Sequence, residues 1–254
     1  MSEFQKTKLR SKLAGISDVD ATDPESVRAL SEKVTKAEEE IKGQELVRRI
    51  ISELELKSFT NIRCLALGSP CRETNALYQL ALLNIVVKRL SVKSVSMFDP
   101  VSTPLDIAYF DESGYSHEEA DPSSPSSTLY YLPHADLHLT EQLLFEKHPV
   151  IMLSNNTITH TDRLLTATLH NQYPTLSLLR HILSKTTNQP CDDGFQAPKK
   201  KRRNKPTKFK PLQIDYTAVP TKITEAQMVS FKEFEEGPWL NAFTDISCHT
   251  ITYE

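Results

Sequence analysis

Residues 62–70 read Ile62-Arg63-Cys64-Leu65-Ala66-Leu67-Gly68-Ser69-Pro70. Ile62 and the run Cys64 to Leu67 are apolar, and the run stops at a glycine, a serine and a proline, residues that end strands and open turns. A short apolar run closed in this way predicts a strand buried on both faces, the kind found in parallel sheets. The next segment, Arg72 to Leu90, is apolar nearly all round through Leu77, Leu80, Leu82, Leu83, Ile85, Val86 and Val87, as in a helix held between a sheet and its neighbours. Further strands are expected at Ser94 to Phe98, at Thr128 to Leu132 and at Val150 to Leu153, ending at Asp99-Pro100, Pro133-His134 and Ser154-Asn155-Asn156. A short helix is expected at Thr103 to Phe110, and Asp111 to Ser127, acidic and rich in Ser and Pro, reads as a loop. Near the C-terminus Leu212 to Val219 and Ile246 to Tyr253 read as strands, with Thr224 to Phe234 as a helix between them. Strands alternating with helical patterns imply right-handed crossovers. The expected fold class is therefore α/β: one doubly wound, mostly parallel sheet with helices on both faces.

N-terminal to the first strand, Asp23-Pro24-Glu25 supplies a cap, a proline at the first helical position and an acidic first turn. Val27, Leu30, Val34 and Ile41 follow at helical spacing, and after Gly43 a second stripe runs through Leu46, Val47, Ile50, Ile51 and Leu54. These predict an N-terminal helical extension, two helices or one broken near Gly43. Its charged face, Glu32 to Lys42, reads as solvated, and the stripe is short for a coiled coil. The expected organisation is a flexible N-terminus over 1–22, helices packed on the domain over 23–58, and an α/β domain over 59–254. That domain is interrupted by a disordered basic insertion over 186–211.

The insertion holds eight Lys and Arg against Asp192 and Asp193, a charge of plus 6. With minus 3 for the whole chain, the remainder carries about minus 9, so charge is segregated. Within it, Pro198 precedes Lys199, Lys200, Lys201, Arg202 and Arg203, a compact run of the kind read by nuclear import receptors. Cytoplasmic and nuclear distribution is expected, against the plainer reading of a solvated charged loop. Nucleic-acid binding is not expected as the main activity, because the run has only Phe195 and Phe209 nearby and no folded aromatic platform.

Several functions are excluded or disfavoured by the rest of the composition. Six glycines in 254 residues cannot build G-x-G-x-x-G or a P-loop, since no two are close enough. Cys64, Cys71, Cys191 and Cys248 match no zinc or redox spacing and read as free thiols. No signal-peptide core or membrane-length apolar run is present, so no membrane association is expected. Lys6, Lys8, Arg10 and Lys12 could suggest a mitochondrial leader, but Glu3, Asp18 and Asp20 argue against one. His134, Asp136 and His138 are the one local set with metal-like spacing; with no third adjacent ligand they read as ordinary histidines and a helix cap, and no metal is expected. No cofactor can be named.

The succession Leu67-Gly68-Ser69, the helix carrying Gln79, Phe98-Asp99-Pro100, Leu132-Pro133-His134, Ser154-Asn155 and Ala242-Phe243-Thr244-Asp245 resembles the sensitivity-to-red-light-reduced (SRR-like) family, including its fungal benomyl-resistance members. The order and spacing match from about Ile62 to the C-terminus. Two positions depart from the pattern: Ser154 stands where the family has glycine, and Thr244 where it has asparagine. The resemblance implies an intracellular regulatory or adaptor protein with protein partners, in a family linked to light and clock signalling in plants, microtubule-related processes in fungi and haem homeostasis in animals. It implies no chemical reaction.

In an open parallel sheet, ligands bind beyond the carboxyl ends of the strands, where strand order reverses. The residues expected there are Ser69, Arg72, Asp99, His134, Asn155 and Asn156, joined by Asp245 if the last strand runs antiparallel. Turn chemistry alone enriches the same residue types at strand ends. Two functions stay open: a regulatory protein acting through surfaces and this cleft, or an enzyme or sensor binding a nucleotide or methyl donor, with Asp99 on a ribose hydroxyl or Asp99 and His134 as acid and base.

Overall fold

The computed structural model of the protein describes residues 23–119, 124–186, 214–231 and 237–254. Helices α1 (Pro24–Ile41) and α2 (Glu45–Glu55) lead into β1 (Asn61–Leu65), α3 (Thr74–Leu90), β2 (Ser94–Phe98), α4 (Pro104–Glu112) and the two-residue β3 (Ser116–His117). The chain continues through β4 (Thr128–Leu132), α5 (Leu137–Glu146), β5 (Ile151–Asn155), α6 (Thr157–Thr161), α7 (Thr166–Gln172), α8 (Pro174–Thr186), β6 (Ile223–Ser230) and β7 (Ile246–Tyr253). The described strands form one sheet in the order β3-β2-β1-β4-β5-β7-β6. The first five are parallel, and β7 runs antiparallel between β5 and β6.

The pleat divides the core in two. Ile62, Cys64, Leu129, Tyr131, Ile151 and Leu153 pack in one cluster with α1 to α4, whereas Tyr130, Leu132 and Met152 pack with α5, α7 and α8. Helices therefore cover both faces, which is why successive central residues of β1, β2, β4 and β5 are buried and burial does not alternate along them. Strands β1 to β3 progress toward one edge, and the chain then returns to place β4 on the opposite side of β1. The order reverses between β1 and β4. There His134 N–H, just past β4, donates to the carbonyl of Ala66, just past β1, at 3.1 Å.

Local chemistry accounts for the turns at this reversal. Ala66 and Gly68 both have positive φ, +54° and +85°. A Cβ on Gly68 would lie 2.9 Å from a Glu73 carboxylate oxygen and 3.3 Å from Ala76 Cβ, so glycine serves both the backbone angle and the close approach. At the N-terminus, Asp23 accepts from Glu25 N–H at 3.2 Å and starts α1, which packs on α3. Glu38 of α1 bonds Asn84 and Lys88 of α3, and Glu40 bonds Tyr78. The extension is thus tied to the sheet through α3.

Three sequence expectations are corrected. The described part of the helix expected over Thr224 to Phe234, residues 224–231, is not helical: β6 occupies Ile223–Ser230 and pairs with β7. The register shifts between Ile223 and Glu225, so the buried Ile223 and Ala226 fall three residues apart and imitate helical spacing. The described part of the expected strand over 212–219 instead holds a 3-10 turn, Tyr216–Ala218, capped by Asp215. The expected loop over 111–127 contains the end of α4, β3 and a 3-10 turn at Pro125–Ser127. His117 stacks on Phe110, with ring centroids 6.3 Å apart, which helps seat β3 against α4. The N-terminal segment over 1–22 and the basic insertion, apart from Thr186 at the end of α8, lie outside the described residues.

Candidate functional site

Two carboxylates organise the ends of β1 and β2. Asp99, following β2, accepts from Gly68 N–H at 2.8 Å and from Val101 N–H at 2.9 Å. Asp106, fully buried in the first turn of α4, accepts from Ser69 Oγ at 2.6 Å, Cys71 N–H at 2.9 Å, Thr103 N–H at 2.9 Å and Thr103 Oγ1 at 2.8 Å. Thr103 caps α4 reciprocally by accepting from Asp106 N–H at 3.1 Å. Ser69 and Asp99 are therefore engaged by the β1–α3 turn and its neighbours. Arg72 is exposed, and its N–H closes the same turn on the Ser69 carbonyl at 3.0 Å.

The ends of β4 and β5 differ. A cavity of about 350 Å³ opens there, lined by His134 after β4, Asn155, His160 and Arg163 at and after β5, Gln79 of α3, and Asp245 before β7. Pro133, Thr159, Asn241 and Ala242 complete the wall. Of the seven expected strand-end residues, the structure brings His134, Asn155 and Asp245 to this cavity. Asn156 lies beside it as the cap of α6: its Oδ1 accepts from Thr159 N–H at 3.0 Å and its Nδ2 donates to Ser230 Oγ at 2.7 Å. Its N–H donates to the Asp245 carbonyl at 2.7 Å, joining the start of α6 to the start of the antiparallel strand.

The decisive feature lies on α3. That helix buries two side-chain amides, Asn84 and Gln79, 4 % and 1 % exposed. Asn84 is satisfied on both atoms: Nδ2 donates to Glu38 at 2.8 Å and to Tyr109 Oη at 2.9 Å, and Oδ1 accepts from Tyr115 Oη at 2.8 Å. Gln79 donates through Nε2 to the Ala242 carbonyl at 2.6 Å, which sets the amide's orientation. Its Oε1 is buried with no hydrogen-bond partner, and the residue lines the cavity. An unpartnered buried acceptor costs about 1–3 kcal/mol, so an occupant that donates to it recovers that energy.

Residues 30–250 match the SRR1 domain. The chain belongs to the SRR1 domain family. No curated protein matches the chain significantly. The cavity of this SRR1 domain lies beyond the carboxyl ends of β4 and β5, next to the reversal of strand order between β1 and β4 and on the edge where open α/β sheets place their ligands.

Behind the cavity of the SRR1 domain, His249 of β7 is fully buried, with Nε2 2.9 Å from Thr157 Oγ1 and Nδ1 3.3 Å from Ser154 Oγ. Burial pushes its pKa down to about 4, against the smaller upward pull of hydrogen bonds to the Met152 and Ser247 backbones. The neutral ring fixes the start of α6, which carries Thr159 and His160. His160 is also held below its ordinary pKa, first by burial and then by the positive charge of Arg163, while Asp245 and Asp136 pull the other way. Burial raises the Cys64 thiol far above its ordinary range, with Asp99 adding to the effect, so Cys64 is no nucleophile.

Asp136 caps α5 by accepting from Leu139 N–H at 2.7 Å. Among the described residues, no group of three His, Cys, Asp or Glu is arranged to hold a metal. No helix among them is long and apolar enough to cross a membrane. Gln79, His160 and Arg163 were not among the expected site residues. The sequence offers one signal for Gln79, an amide within the apolar run of its helix, but it shares that signal with Asn84.

Proposed function

We propose that this member of the SRR1 domain family is a regulatory protein that acts by binding a small polar molecule in the strand-end cleft and passing that state to protein partners. The family suggests the regulatory role. One observation carries the cleft reading: the Gln79 amide, in the wall of a 350 Å³ cavity, is 1 % exposed, anchored through its nitrogen, and keeps its oxygen unpartnered. The volume is near the lower end of the roughly 300–1,000 Å³ typical of ligand sites. It suits a molecule much smaller than a dinucleotide. The motif succession from Ile62 onward resembles the SRR-like family with its fungal benomyl-resistance members, and the settings that this resemblance supports are microtubule-related, transcriptional or haem-linked regulation. The run Lys199 to Arg203 supports nuclear as well as cytoplasmic distribution.

A fragment soak of crystals of the full chain, paired with thermal-shift assays, tests the cleft. Fragments should seat with a donor on Gln79 Oε1, and a compound at one hundred times its Kd should add about 2.7 kcal/mol of stability. Fragments distributed elsewhere, with the cleft holding none, would overturn the reading. Lys200, Lys201 and Arg202 changed to Ala in a fusion too large for passive pore entry should move signal to the cytoplasm. An unchanged distribution would remove the targeting role.

A further inference from the structure

The cavity holds a cluster of donors together with two groups that only accept, and the combination defines an occupant; the inference rests on the cleft reading above. The first set is a chain of three donors. Asn155 Nδ2 donates to the Ala135 carbonyl at 3.1 Å, which fixes that amide's orientation, and it lies 3.2 Å from His160 Nδ1. Nδ1 is therefore the acceptor of the ring. A neutral imidazole has one acceptor and one donor nitrogen, so the hydrogen sits on Nε2. That N–H meets Arg163 Nη2 at 3.1 Å, donor facing donor. Moving the hydrogen to Nδ1 transfers the conflict to Asn155, and a second proton creates it at both nitrogens. The burial and the guanidinium charge that keep His160 neutral are consistent with this arrangement. Among the described residues, Arg163 makes no ion pair.

Two further lining groups only accept. Gln79 Oε1 has no partner, and the Asp245 carboxylate lines the same cavity. An acceptor seated against His160 Nε2–H and Arg163 removes the donor conflict, and negative charge on it answers the guanidinium. Groups bearing N–H or O–H, placed toward Gln79 and Asp245, answer the remaining acceptors. We infer that the cleft takes a small molecule carrying both an oxyanion, phosphate or carboxylate, and N–H or O–H donors. A bare anion would leave Gln79 unpartnered and face the Asp245 charge, and a neutral polyol would leave Arg163 without a counter-charge.

The test follows the side-chain amide signals of Gln79 and Asn155 by 1H–15N NMR on the full chain. D-ribose 5-phosphate and L-serine supply the phosphate and carboxylate sources with donors attached. D-ribose and serinol keep the donors without the oxyanion, and inorganic phosphate keeps an oxyanion without the donor-bearing body. At least one of the first pair should shift both amides and bind at least tenfold more tightly than its control without the oxyanion and than inorganic phosphate. Arg163→Gln, at an exposed position, should weaken that probe at least tenfold. Controls that bind as well, an unchanged affinity in Arg163→Gln, or silence from every probe while soaked fragments occupy the cleft would overturn the oxyanion assignment and leave the cleft reading standing. Silence from the probes together with an empty cleft in the soak would overturn both.

Discussion

The strand-end edge of this sheet has two halves built from the same residue types. At the ends of β1 and β2 the polar groups are used within the chain: Asp106 takes four donors and Asp99 takes two. At the ends of β4 and β5, His160 stands between two donors and Gln79 keeps an oxygen unpartnered. Turn chemistry explains the carboxylates of the first half. It does not explain the second, where burying an amide oxygen without a partner costs stability. The contrast teaches that residue type at a strand end does not distinguish a brace from a binding group; what distinguishes them is whether the chain itself supplies the partner.

The largest expected effect lies in the closed half. Asp106→Ala leaves the Ser69 hydroxyl and the Cys71 and Thr103 N–H groups unpaired in a buried place, and should cost about 4 kcal/mol. In a chain of this size that lowers Tm on the order of 10 °C in a calorimetric scan. A shift of one or two degrees would break the comparison by showing that this half is not held by its carboxylates.

Next comes acid sensitivity beneath the open half. His249 has a pKa near 4 when folded against 6.5 for an ordinary histidine, so the unfolded chain binds the proton more readily. Its contribution is fully present above pH 6.5 and is lost as pH falls toward 4, about 3 kcal/mol over that window. His160 and His181 are shifted in the same direction and add to the slope. Urea midpoints measured between pH 7 and 4 should fall continuously. A flat profile would contradict a neutral His249 behind the cleft.

The smallest effect belongs to the cavity rim. Arg163→Gln, at an exposed side chain, should change stability by less than about 0.5 kcal/mol in urea unfolding. A larger loss would make the donor chain a brace like its counterpart at β1 and β2.

Much of this fold is legible because buried parallel strands announce themselves. The run to Leu67 ending at Gly68-Ser69-Pro70, and its analogues ending at Asp99-Pro100 and Pro133-His134, mark three inner strands of the sheet. β6 was not legible, since the register shift after Ile223 gives Ile223 and Ala226 helical spacing, and only pairing with β7 decides between strand and helix. The strand-end residues could be read as a set but not sorted. Ser69 and Asp99 look no different in sequence from His134 and Asn155, because the partners that engage them, Asp106 and Gly68, come from other parts of the chain. Gln79 was hidden by the apolar reading of its helix, and His160 and Arg163 lie on a short helix and the turn after it, in a stretch with no strong periodic signal.

Replacing one residue from each half, Asp99→Ala and His134→Ala, and measuring both Tm values in one buffer tests the division most directly. Asp99→Ala removes the acceptor of two backbone N–H groups and should lower Tm by roughly 5 °C or more, whereas His134→Ala, exposed at the cavity rim, should stay within about 1 °C of the parent. Equal losses in the two variants would contradict the account, because both halves would then be braces.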